Sequence, residues 1–144
     1  MNGRQNTMTI TWSNFKNFKA TEFACPCGCN KAPDMDMMLI WILQAVRNKY
    51  GKPVNIKSGY RCQKYNDSLK GSVKNSDHIK KKAADFYVTG VTDTLEKRKT
   101  LMKWIIELPN VKYVYCNGWI LYADGTNKTY NAPNMGNSIH ISVK

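Results

Sequence analysis

Apolar residues recur at helical spacing in two stretches of the chain and at alternating or clustered spacing in several others. Met35, Met38, Leu39, Ile42, Val46 and Tyr50 fall three or four residues apart, which predicts a helix that turns one face to a core. Asp34, following Pro33, is its expected N-cap, because a carboxylate there accepts hydrogen bonds from the unpaired N–H groups of the first turn. Gly51 is its expected stop. A second stripe of Leu95, Leu101, Met102, Ile105 and Leu108 predicts a helix starting near Asp93, with Glu96 as capping-box partner and Pro109 and Asn110 as its end. Residues 54–57 and 83–88 read as strands, and 60–69 as an irregular or short helical segment. Strands are also predicted at 111–115, 119–122 and 139–143, with a turn at Asp124 and Gly125 and a loop containing Gly, Asn and Pro before the last of them. Helices early and strands late predict an α+β fold, a small antiparallel sheet with two main helices packed on it.

At 144 residues and 42% hydrophobic content, the chain is sized for one domain with a single core. That domain is expected over residues 15–144, preceded by a flexible segment, 1–14. There is no internal repeat or linker-like tract. No run approaches the ~20 apolar residues of a membrane span, and the polar first eleven residues lack the apolar core of a signal peptide. A soluble, monomeric protein made in the cytoplasm without a Sec-type signal is the expectation.

A net charge of +12 and a pI near 9.6 favour contact with polyanions such as nucleic acid, anionic lipid or bacterial wall polymers. The basic residues are dispersed, with one short run at Lys80, Lys81 and Lys82, and no nucleic-acid motif accompanies them. A solvated basic face is the preferred reading. Base stacking on Trp12, Trp41, Trp104 and Trp119 is a weaker alternative, since Trp41 and Trp104 lie on the predicted helices and are read as core. No specific nucleic acid is expected as a partner.

Cysteine is present five times, an odd number that argues against a disulfide framework where reductants prevail. Cys25, Cys27 and Cys29 are spaced C-x-C-x-C, unlike the C-x-x-C knuckle of common zinc sites. Structural thiols in a tight loop with Pro26 and Gly28 are the preferred reading. A second metal site, completed by Cys62 or Cys116, is the alternative.

The two histidines carry the strongest chemical signal. His78 stands in Ser76-Asp77-His78, and Asp85 follows seven residues later in Ala83-Ala84-Asp85-Phe86, so a loop entering a strand can bring carboxylate and imidazole together. His140 alternates with Ile139 and Ile141 and would face away from the core. Two imidazoles and one carboxylate suit zinc, with a fourth position left for water.

The segments Ser58-Gly59-Tyr60-Arg61-Cys62, Ser76-Asp77-His78 and Ala83-Ala84-Asp85-Phe86 resemble the M15 family of zinc peptidases, typified by D-Ala-D-Ala carboxypeptidases and phage L-alanyl-D-glutamate endolysins. The family pattern is S-x-H-x-x-G-x-A-x-D with a late histidine. The resemblance extends over Glu22 to Cys29, the first helix and Gly51-Lys52-Pro53-Val54, as in the short phage-borne branch, and covers residues 15–90 and the final strand. It implies a zinc ion on His78, Asp85 and His140, with Arg61 beside the substrate to stabilise an oxyanion or hold a carboxylate. Ser76 and Asn137 would line the cleft. The implied activity is cleavage of peptidoglycan stem peptides at the bacterial wall, with the positive charge adding nonspecific adhesion to anionic wall polymers.

Two positions depart from the pattern. Lys81 stands where the family has glycine. Asn137 stands three residues before the last histidine, where many members carry an acidic general base, and Asp124 is the expected substitute. The last strand, Ile139-His140-Ile141-Ser142-Val143, also resembles that of the hedgehog signalling domain, a zinc-holding fold relative. A zinc-stabilised binding module that does not hydrolyse its ligand is therefore the second functional expectation.

Overall fold

In the computed structural model, residues 9–131 and 135–144 are described. Helix α1 spans Met37–Tyr50. It is capped by Asp36, whose carboxylate accepts from the N–H groups of Met38 and Leu39. This corrects the expectation for Asp34, which instead accepts a hydrogen bond from the Trp12 indole at 3.0 Å. Gly51 ends the helix as expected, with φ 64° and its N–H returned to the Arg47 carbonyl, a left-handed conformation that glycine adopts without a Cβ penalty. Strand β1 (Asn55–Ser58), helix α2 (Gln63–Ser68) and strand β2 (Ala83–Tyr87) follow.

Helix α3 spans Leu95–Ile105 and is capped by Thr94, which accepts from the Lys97 N–H. Asp93 is one residue too early to cap it, and its carboxylate accepts the Gly90 N–H instead. The shift also moves Leu95 out of the buried stripe, to 41% exposure, while Arg98 is buried. Trp41 likewise departs from its expected place in the core and is 43% exposed, whereas Trp104 packs partly buried against it.

Strands β3 (Val111–Cys116), β4 (Trp119–Tyr122), β5 (Asn127–Thr129) and β6 (Ile139–Val143) complete a six-stranded sheet. The order is β1-β2-β6-β3-β4-β5, and every neighbouring pair is antiparallel. Asn117 and Gly118, both with positive φ, form the two-residue turn of the β3–β4 hairpin, a conformation for which Asn-Gly is well suited. Strand β5 lies within the expected loop; all three of its residues are exposed, so no hydrophobic alternation announced it.

One face of the sheet presents Ala84, Phe86, Val114, Ile139 and Ile141, all fully buried, to a core shared with Leu39, Ile42, Leu43, Leu101 and Ile105 of the two main helices. The period of two along each strand therefore sends the intervening Asp85, His140, Ser142, Tyr113 and Tyr115 to the opposite face. The expected flexible segment begins to dock before residue 15: Ile10 is buried and Trp12 packs on the core, its ring 5.8 Å from that of Phe23. Residues 1–8 lie outside the described residues.

Lys81 adopts φ 64°, the left-handed conformation that explains why the resembling pattern has glycine there. A non-glycine residue in this region carries a cost of roughly 1 kcal/mol or more. Two stability changes follow, both measurable by urea denaturation. Asp36→Ala lowers stability by about 1 kcal/mol through loss of the α1 cap, whereas Lys81→Gly raises it by up to about 1 kcal/mol through relief of the backbone conformation.

Candidate metal centre

Strand register builds most of the site. Asp85 on β2 pairs directly with His140 on β6, and His140 pairs in turn with Tyr115 on β3. Residues paired across antiparallel strands hold their Cβ atoms about 5 Å apart. Asp85 Oδ1 consequently reaches His140 Nδ1 at 2.7 Å. The third member comes from the turn before β2, where Ile79 and Lys80 return their N–H groups to the carbonyls of Ser76 and Asp77. This turn carries His78 over the β2 start, 5.1 Å from His140 between ring centroids.

The hydrogen bond of the His78 ring fixes which nitrogen carries the proton in its neutral form. Its Nδ1 lies 2.7 Å from the Gly59 carbonyl oxygen, which can only accept, so Nδ1 carries the proton and donates. In the neutral ring the lone pair is therefore on Nε2. It is buried, makes no hydrogen bond, and faces Asp85 Oδ2 at 3.5 Å. A buried nitrogen with no partner costs free energy unless something occupies its lone pair.

His140 is held from three sides. Nδ1 meets Asp85, Nε2 lies 2.8 Å from Ser142 Oγ, and the Tyr113 ring stacks on the imidazole at 5.4 Å with an interplanar angle of 18°. Ser142 is fully buried and also bonds to Asp77. Asp77 is buried too, with Lys112 Nζ at 2.8 Å. Burial works against its charge, but the hydrogen bonds from Lys112 and Ser142 outweigh it and hold the Asp77 carboxyl below its usual range. Burial likewise opposes ionisation of Asp85, and the adjoining imidazoles, His140 foremost, depress its pKa well below the carboxylate norm.

Arg61 extends from the loop between β1 and α2, with Nη2 3.7 Å from Asp85 Oδ2 and Nη1 3.3 Å from Asn66 Oδ1. Its backbone N–H donates to the His78 carbonyl. Two backbone-linked contacts therefore stitch this loop to the His78 turn. The loop itself sits tightly on the N-terminal region: a Cβ on Gly59 would lie 2.6 Å from Phe23 Cα, so only glycine permits the approach.

The side chains that could hold a metal are His78, Asp85 and His140, whose ligand atoms all lie within 4.8 Å of one another. A tetrahedral ion with bonds of about 2.0–2.2 Å keeps its ligand atoms roughly 3.4 Å apart, close to the 3.5 Å between His78 Nε2 and Asp85 Oδ2. The unpartnered His78 Nε2, a depressed carboxylate and an imidazole oriented by Ser142 fit a divalent cation. They line an open cleft of about 500 Å³ together with Arg61, Ser76, Lys70, Lys80, Lys112, Tyr113 and Tyr115.

Asn137 and Asp124 are not brought to this cleft. Asn137 is exposed and accepts from Arg98 Nη1 at 3.3 Å, beside Ile56, Lys57 and Tyr87. Asp124 lies in the exposed turn between β4 and β5, where its carboxylate accepts from the N–H and hydroxyl of Thr126. Its local turn bonding, and the position of β4 two strands from β6, separate it from the role of base expected for it. Sequence reasoning missed Ser142, Tyr113 and Lys112. The first two were legible in principle from the alternation around His140 and along β3; Lys112 required the fold.

A family model described as Peptidase M15 matches residues 16–106. No curated protein and no solved structure matches the chain.

Replacing Asp85 or His140 by Ala is expected to remove one equivalent of divalent metal per chain in elemental analysis of protein purified without chelator. Ser142→Ala keeps that equivalent but weakens its retention against a competing chelator by about 10- to 100-fold, the usual effect of losing a group that orients a ligand.

Proposed function

Because this chain belongs to the peptidase M15 family and turns an unpartnered imidazole nitrogen toward a carboxylate and a second imidazole, we propose that it is a zinc peptidase acting on peptidoglycan stem peptides. Zinc bound there would lower the pKa of its water to roughly 7 and polarise a peptide carbonyl. The remaining work belongs to the chain's own residues. The observation that carries the reading is the bare His78 Nε2 at the floor of an open cleft.

Arg61, Lys70, Lys80 and Lys112 give that cleft basic walls, which suit the carboxylates of stem peptides. Arg61 stands closest to the metal ligands. Its planar guanidinium can hold a substrate carboxylate with two parallel hydrogen bonds or stabilise negative charge developing on the scissile carbonyl oxygen. Ser76 lines the same cleft, with its hydroxyl accepting the His78 backbone N–H, and shapes the turn that presents the imidazole. The bacterial wall is the proposed place of action, reached on release from the producing cell as for a phage lysin. The +12 charge promotes adhesion to anionic wall polymers, which should weaken as salt rises.

A second reading is favoured by one specific observation. Among the described residues, the carboxylates lining the cleft are Asp77 and Asp85; Asp77 is engaged by Lys112 and Ser142, and Asp85 belongs to the metal set. General-base assistance is typically worth about a hundred- to ten-thousandfold. A chain without a free base would bind wall peptides through the same metal and cleft while cleaving them slowly or not at all.

Incubation of the zinc-loaded protein with purified peptidoglycan separates the two readings. The peptidase releases new amino termini, His140→Ala releases none, and Arg61→Ala slows release by about a hundred- to a thousandfold, the scale of losing one oxyanion donor. Retention on peptidoglycan with no new amino termini from the wild type establishes the binding module instead.

A further inference from the structure

Three cysteines near the N-terminal end of the domain and one from the loop beyond β1 converge on a single point. The Sγ atoms of Cys25, Cys27, Cys29 and Cys62 all lie within 4.8 Å of one another. Cys25 and Cys27 are 3.4 Å apart, and Cys27 and Cys62 3.6 Å apart. All four are free thiols. We propose that Cys25, Cys27, Cys29 and Cys62 form a second, structural zinc site, separate from the His78, Asp85 and His140 centre.

The spacing matches the ion. Zinc–sulfur bonds of about 2.3 Å in a tetrahedron place sulfur atoms roughly 3.8 Å apart, near both of these separations. A cluster this close is hard to explain by hydrophobic packing, because Cys27 and Cys29 are exposed and Cys62 only partly buried. Cys116, the alternative fourth thiol, is buried in the core and takes no part. The C-x-C-x-C spacing is accommodated by a tight turn in which Gly28 takes φ 81° and donates its N–H to the Cys25 carbonyl, while Cys25 N–H donates to Asn30.

The surroundings favour thiolate ligands. The Cys62 N–H donates to Cys25 Sγ, and the Tyr65 N–H donates to Cys62 Sγ. Binding is a proton-for-metal exchange: four thiols lose their protons to solvent and four Zn–S bonds form, with no change in oxidation state.

Such a site would act as a cross-link. It joins the turn at residues 25–29 to Cys62, 37 residues beyond Cys25, where Gly59 already packs on Phe23 and Tyr60 N–H bonds to the Phe23 carbonyl. Arg61 is adjacent to Cys62, and Gly59 holds His78. The thiolate site therefore braces the loop that supplies the arginine and the carbonyl to the first centre.

Elemental analysis and cobalt substitution test the proposal. Wild-type protein purified under reducing conditions without chelator carries two zinc ions per chain. His140→Ala retains one, and on exchange with cobalt that protein shows the intense near-ultraviolet charge-transfer band of thiolate ligation. Cys27→Ser/Cys29→Ser also retains one ion but lacks the band. A single ion in the wild type that disappears with His140→Ala overturns the proposal, as does a cobalt-loaded His140→Ala protein without thiolate charge transfer. The cobalt spectrum of the His140→Ala protein requires no cysteine substitution and no peptidase activity, so the result stands apart from the proposed function.

Discussion

The pairing of β6 with β2 is the constraint on which the centre depends. β6 comes last in the chain yet lies inside the sheet, between β2 and β3, so its register is set on both sides. Ile139, Ile141 and Val143 must enter the core. A slip of one residue would send all three to the cleft and bury His140 among aliphatic side chains, an outcome heavily penalised by the lost apolar burial. The hydrophobic packing of one face thereby enforces the position of His140 opposite Asp85 on the other, and no metal is required to choose that register.

Gly59 adds the second fixed point. Its lack of a Cβ allows the backbone after β1 to lie against Phe23, and its carbonyl then orients the His78 ring. The imidazole is held by its Nδ1, which leaves Nε2 directed toward Asp85. Orientation of a ligand through its opposite nitrogen is a general means of fixing both tautomer and direction. His140 receives comparable support from Ser142, itself joined to Asp77 and, through it, to Lys112. The two imidazoles are thus positioned by different parts of the fold, one by a loop carbonyl and the other by a side-chain network on the sheet.

These constraints also separate metal binding from hydrolysis. The ligand geometry is tied to the core packing and to a glycine contact, whereas a general base has no comparable anchor. Asn137 is drawn toward Arg98, and Asp124 satisfies Thr126 within its own turn. Basic side chains dominate the remainder of the cleft rim, which favours an anionic ligand without determining what is done to it.

The residue pattern by itself determined the two main helices, most of the strands, the α+β class and the set His78, Asp85 and His140. Periodicity reports which face of an element is apolar, and a carboxylate seven residues after a histidine is visible without coordinates. Lys81 stands where the resembling pattern has glycine, and only its left-handed backbone supplies the physical reason for that glycine. Only the tertiary structure decided that Asp36 and Thr94 cap the helices, since a cap is chosen by where the helix can begin against its neighbours. It alone brought Cys62 to the three earlier cysteines, Lys112 to Asp77 and Asn137 to Arg98, because such contacts arise from strand order and loop packing, which local spacing does not encode.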